Sequence, residues 1–82
     1  MSEAANASTL DVRGLNCPLP LLKTKKALLS LPVGSLLTVL TTDTDSVPDL
    51  RAFAQSAGYA VAVTGPEEGV YRVAIARTEA PA

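Results

Sequence analysis

The chain has no histidine, no tryptophan and a single cysteine, Cys17, and each shortage removes a class of chemistry. With one thiol and no imidazole, a closed zinc site of four Cys or His ligands cannot be assembled. A cysteine protease would lack its base, and a thioredoxin-type redox cycle would lack its second thiol. Nor can an internal disulfide form. The only aromatic residues are Phe53, Tyr59 and Tyr71; Phe53 and Tyr71 have core-facing spacing, so there is no stacking platform for single-stranded RNA. A net charge of -1 excludes the broad cationic footprint of a protein that grips many phosphates, and direct nucleic-acid binding is not expected. The apolar runs are short, far from the roughly 20 residues needed to span a bilayer, so no membrane association is expected. Met1 to Ser8 lack the basic start and apolar stretch of a secretory signal. They read as a disordered tail, with the cytoplasm as the expected location. The residues call for no metal and no cofactor.

What is present is one domain's worth of alternating patterns in 82 residues. Thr9 to Arg13 alternates Leu10 and Val12 with polar neighbours, the period of a half-buried strand, and Gly14 breaks it. From Pro18 to Leu31, apolar Leu21, Leu28 and Leu31 share one helical face with Thr24. Leu22 and Leu29 form a second stripe that the core need not cover. Pro32 and Gly34 turn the chain into a second strand, Ser35 to Thr41. Ser46 and Asp49 suit the first turn of a second helix, with Ser46 supplying the cap. Leu50, Phe53, Ala54 and Ala57 line its inner face, and Gly58 ends it. Tyr59 to Thr64 and Val70 to Ala76 are strands joined by "GPEEG", Gly65 to Gly69, as a hairpin loop. The order βαβαββ predicts an α/β fold, a two-layer sandwich with a four-stranded mixed sheet and two helices packed on one face. The domain spans residues 9–77, and Thr78 to Ala82 is expected to fray. In such a unit the loops after strands one and two leave the same sheet edge, where ligands of open α/β sheets bind. That makes Cys17 a neighbour of "TDTDS", Thr42 to Ser46.

Cys17 stands in "RGLNCPLP" at the start of the first helix. One reading is a small hydrophobe packed in the core. The other is a nucleophile: Pro18 favours extended backbone at Cys17, as at an N-cap, and Pro18 and Pro20 cost little in a first turn whose amides lack helical acceptors. A thiolate facing those amides would be favoured by the helix dipole, and its pKa is expected to fall toward neutrality. A phosphatase-type loop is excluded, because Lys23 stands where a phosphate-clamping arginine is needed. The chemistry left for an exposed thiol is transfer of sulfur itself: the thiolate takes the outer sulfur of a donor persulfide and later yields it to an acceptor.

"LDVRGLNCPLPLLKTKKAL", Leu10 to Leu28, closely resembles the opening of the TusA-like (SirA-like) sulfur-carrier family, whose signature is Cys-Pro-x-Pro at the first helix preceded by Asp-x-Arg-Gly-Leu. The likeness continues through Pro32 to Gly34, Asp43, Asp49 and the closing strands; Leu19 departs from a position often charged in that family. The resemblance implies the same sandwich and a persulfide on Cys17. It also implies a cysteine desulfurase or rhodanese as donor, and a sulfur-accepting protein in tRNA thiolation, molybdenum-cofactor assembly or sulfur oxidation.

The neighbours of Cys17 each carry two readings. Gly14 either ends a strand or lets the backbone bend so that the thiol stays accessible. Arg13 is either solvated surface or a cation that favours the thiolate or pairs with Asp11 or Asp43. Asp43 and Asp45 would raise a nearby thiol's pKa by like charge, so orientation or recognition is their expected role. Lys23, Lys25 and Lys26 form either a wet helix face or a docking strip for an acidic partner. At the level of function, a sulfur carrier, with or without turnover of its own, stands against a noncatalytic regulatory or binding module.

Overall fold

The computed structural model describes residues 7–78. Six elements follow in order: β1 (Ala7–Asp11), α1 (Leu19–Leu29), β2 (Leu36–Thr41), α2 (Ser46–Ser56), β3 (Ala60–Glu67) and β4 (Val70–Ala76). The strands form one sheet in the order β1-β2-β4-β3. β1 runs parallel to β2, while β4 is antiparallel to both β2 and β3. Both helices supply the core on a single face, and the expected two-layer α/β sandwich is the observed fold.

Side-chain alternation explains which face is covered. In β2, Leu37, Val39 and Thr41 are buried, and in β4 Val73 and Ile75 are. They meet Leu28 of α1 and Leu50 and Ala54 of α2 in one cluster that Val12 completes. Phe53 and Tyr59 seal its edge with an edge-to-face ring contact at 6.2 Å. On α1 the buried residues are Pro20, Thr24 and Leu28, whereas Leu21 and Leu31 only flank the core. Thr24 is accommodated because its hydroxyl donates to the Pro20 carbonyl at 2.7 Å. The second stripe lies outside: Leu22 is 53% and Leu29 76% exposed.

Several boundaries differ from the sequence expectations. Ala7 and Ser8, expected in the tail, pair with Leu36 and Leu37 as the first residues of β1; residues 1–6 lie outside the described residues. The first helix ends at Leu29 rather than Leu31, and its exposed carbonyls are capped by a side chain from across the fold. The Arg77 guanidinium donates to Leu28 O at 2.7 Å and also to Leu31 O. "GPEEG" is mostly strand. Ladder pairing continues to Glu67 after an irregularity between Thr64 and Glu67, and the turn is only Glu68 and Gly69. Both have positive φ, 52° and 80°, the backbone that a two-residue hairpin turn matched to sheet twist requires. Gly65 is indispensable for a different reason: a Cβ there would lie 2.8 Å from Val70 O. Thr78, expected to fray, donates its hydroxyl to Gly58 O at 3.1 Å; residues 79–82 lie outside the described residues.

The Arg77 cap ties the end of β4 to the end of α1. Arg77→Ala should lower the unfolding free energy by about 1–3 kcal/mol, because two carbonyls lose a charged donor. Chemical denaturation of variant and wild type measures this, and unchanged midpoints would show that water replaces the guanidinium without loss.

Candidate functional site

Because β1 and β2 are parallel, the loops that follow them emerge at one sheet edge. The first loop begins with Val12, whose amide still donates to Leu40 O at 2.9 Å. Gly14 then takes φ 83°, and open space surrounds the place where a Cβ would stand. The glycine is therefore required by backbone conformation and not by crowding. Its amide donates to Thr42 Oγ1 in the second loop at 2.9 Å.

Asp43 is the centre of the second loop. Its Oδ2 accepts the Cys17 amide at 2.8 Å and the Ser46 hydroxyl at 2.7 Å, while Oδ1 accepts the Asp45 amide at 3.3 Å. One carboxylate thus ties the cysteine's backbone to the start of α2. The same hydrogen bonds, Ser46 first, hold its pKa below the ordinary carboxylate range. A depressed carboxylate stabilises the fold in its ionised form. The clamp is therefore intact at neutral pH and is lost as pH falls through that lowered value. Ser46 does not cap α2 as expected. It is the first helical residue, Asp45 is the N-cap without a side-chain bond, and the Ser46 hydroxyl is spent on Asp43.

Cys17 is exposed. Its thiol does not face the amides of α1 as expected. The N-cap is Pro18, one residue later than predicted, after a cis Cys17–Pro18 peptide. The Leu19 amide donates to Asn16 O and that of Leu22 to Pro18 O. The thiol instead donates to Asp49 Oδ2 at 3.3 Å. That hydrogen bond, reinforced by desolvation and by the charges of Asp49, Asp43 and Asp45, pushes the Cys17 pKa up. The direction is opposite to the expected lowering, because the Asp49 hydrogen bond and three nearby carboxylates all favour the protonated thiol. Sequence reasoning foresaw the repulsion from Asp43 and Asp45 but gave Asp49 no contact with sulfur. The available signal was that α2 opens at the same sheet edge as Cys17 and places Asp49 in its first turn.

The remaining candidates divide. Pro18 and Pro20 set the start of α1, and Pro20 is fully buried. Arg13 does not reach the sulfur. Its guanidinium is held by Asp11 in a two-pronged pair, 2.8 and 2.7 Å, which lowers the Asp11 pKa to about 2. Lys23, Lys25 and Lys26 are exposed on α1, but Lys25 Nζ sits 5.5 Å from the centre of the Phe53 ring. It packs across onto α2 as a cation over an aromatic face.

If Asp49 keeps the thiol protonated, alkylation of Cys17 should rise with pH to a midpoint above the ordinary thiol value near 8.5. Asp49→Asn should move that midpoint down and raise the rate at pH 7 by roughly 3- to 10-fold, one pH unit being tenfold in thiolate. Rates with iodoacetamide across pH 6 to 10 provide the measurement; superimposable profiles would remove Asp49 from control of the thiol.

Comparison with known proteins bears on the fold and the family. The family described as "Sulfurtransferase TusA" matches residues 8–77. The sulfur carrier protein TusA of Allochromatium vinosum is 41% identical over 69 residues, covering 84% of this chain and 91% of that protein. A candidate sulfur carrier protein of Neisseria meningitidis serogroup A is 41% identical over 70 residues, 85% of this chain and 95% of that one. The crystal structure of a SirA-like protein from Desulfitobacterium hafniense superposes with a TM-score of 0.80 at 34% identity, covering 88% of this chain and 99% of its own. With the family match over residues 8–77, relatives 41% identical over most of both chains and the same fold, the chain belongs to the TusA sulfurtransferase family.

Proposed function

We propose that this protein is a sulfur carrier that accepts a sulfane sulfur on Cys17 as a persulfide and passes it to an acceptor protein. The observation that carries the reading is an exposed thiol whose backbone is held by Asp43, in a chain without histidine or a second cysteine. A donor persulfide R–S–SH meets Cys17–SH. The Cys17 sulfur bonds to the outer sulfur, the donor S–S bond breaks, and the electron pair returns to the inner sulfur, which leaves as R–SH. Asp49 takes the Cys17 proton as sulfur attacks, and the proton ends on the departing thiolate. Delivery repeats the exchange with an acceptor thiol, and no net oxidation occurs. A cysteine desulfurase or a rhodanese suits the donor role, and tRNA thiolation, molybdenum-cofactor assembly or sulfur oxidation suits the acceptor. The raised thiol pKa fits a carrier that stays protonated until a partner docks, because a cationic partner surface beside Asp43, Asp45 and Asp49 would free the thiolate. Lys23 and Lys26, exposed on α1, offer a complementary contact to acidic groups on the same partner.

Incubation with a cysteine desulfurase and cysteine should add the mass of one sulfur atom to the intact protein, removable by reductant and absent in Cys17→Ala. A wild-type protein that several desulfurase and rhodanese donors fail to load, while its thiol still alkylates, would favour a noncatalytic binding module.

Lys23→Glu combined with Lys26→Glu should slow loading at low ionic strength, with the deficit shrinking as salt screens the exposed charges. Loading rates at low and high salt measure it, and equal rates at low salt would make these lysines a solvated face only.

A further inference from the structure

The sheet has a second face that neither helix covers. Register places its outward residues in level rows. Ala7, Leu36, Ala76 and Ala60 form the first row, and Thr9, Thr38, Ala74 and Ala62 the second. Asp11, Leu40, Arg72 and Thr64 form the third. The first two rows are small and apolar or threonine, and Leu36 is 42% exposed. A hollow of about 190 Å³ opens among Leu36, Ala60, Ala62, Ala74 and Ala76 at that end. At the other end a hollow of about 670 Å³ is lined by Arg13, Leu40, Glu67, Glu68, Val70 and Arg72. An alternating strand normally turns charged or long polar residues to water on its solvent face. Two of the three rows on this face do not.

We propose that this face is where two copies of the chain meet, packed sheet on sheet about a two-fold axis that runs along the strands. Such an axis keeps rows level: β3 of the partner lies over β1, and β4 of the partner over β2. Ala7 then faces the partner's Ala60, Thr9 faces the partner's Ala62, and Thr38 faces the partner's Ala74. Small side chains on both sides allow close approach of two sheets in the aligned mode. At the charged end, Arg13 beyond β1, whose bonds to Asp11 use Nε and Nη2 and leave Nη1 to donate, comes level with the partner's Glu67 at the end of β3, and symmetry makes the contact twice. A two-fold axis across the strands would instead set the alanine rows against the charged end. The face measures about 19 Å across four strands and about 20 Å along them, or about 400 Å² per copy. That is roughly half of a standard interface, so association is weak and concentration-dependent. Because Cys17 belongs to the helix-bearing side of the sheet edge, both thiols stay accessible and lie at the same end of the pair. The inference does not depend on what Cys17 carries.

Sedimentation equilibrium of the full chain with Cys17 kept reduced, up to about 1 mM to suit a small interface, should show a monomer–dimer equilibrium. Ala62→Glu, at an exposed strand position, should abolish the dimer while circular dichroism remains unchanged. Glu67→Arg should weaken it several-fold at low salt, with the difference vanishing at high salt, and Leu29→Glu on α1 should leave it intact. A wild-type monomer throughout, a dimer indifferent to Ala62→Glu and Glu67→Arg, or a dimer lost through Leu29→Glu would each overturn the proposal.

Discussion

The carboxylate of Asp43 is the joint on which the functional edge of this protein depends. Three donors from two loops converge on it: the Cys17 amide, the Ser46 hydroxyl and the Asp45 amide. Without it, the hydrogen bonds left between the cysteine loop and the second loop with α2 would be those of Gly14 to Thr42 and of the thiol to Asp49. A charged acceptor with several donors is worth more than the same bonds made by neutral groups. Position 43 can do this because it stands two residues past the end of β2, where the parallel partner strand brings the other loop alongside. Its main chain is steadied in turn by a bond from its amide to Thr41 Oγ1 at 3.1 Å.

That clamp has an electrostatic consequence opposite to the usual picture of a reactive thiol at a helix start. Holding Asp43 ionised beside Cys17, with Asp45 and Asp49 close by, surrounds the sulfur with negative charge. The nearby cation, Arg13, is neutralised locally by Asp11 and lies toward the open sheet face. These negative charges push the thiol's pKa up, toward the protonated form. For a sulfur relay this is a sensible resting state, because a permanently ionised thiol at an exposed edge would react with any available electrophile or disulfide. Under the proposed function, the approach of a cationic partner surface would shift that balance toward the thiolate.

The two faces of the sheet show how the same alternation serves different ends. Inward residues Leu37, Val39, Val73 and Ile75 are fully buried under the helices. The outward rows, one residue out of step, are alanine, threonine and leucine, with charge confined to the end nearest the hairpin. Arg77 joins the layers at the opposite end by donating to Leu28 O in the last turn of α1 and to Leu31 O just beyond it.

Periodicity and punctuation were enough to determine the element order, the mixed sheet and the helix faces. Inward valines and leucines at every second position, and the leucines and Thr24 of α1, can be satisfied only by a helix layer over one sheet face. The Cys-Pro-x-Pro start marked the candidate thiol, and the parallel β1–β2 pair made the meeting of its loop with Thr42 to Ser46 predictable. The errors fell where a side chain had two prospective partners. Ser46 reads as a helix cap in sequence, but Asp43 lies closer and takes its hydroxyl. Gly65 to Gly69 reads as a loop, but positive φ at Glu68 and Gly69 permits a tighter turn and a longer ladder. Cys17 reads as a thiol lowered by a helix dipole, and only the fold reveals that Asp49, 32 residues away, accepts a hydrogen bond from it. Local pattern reports which residues seek burial, because that preference belongs to each side chain. A pKa is set by the distance to charges that chain order does not encode, and only tertiary structure supplies those distances.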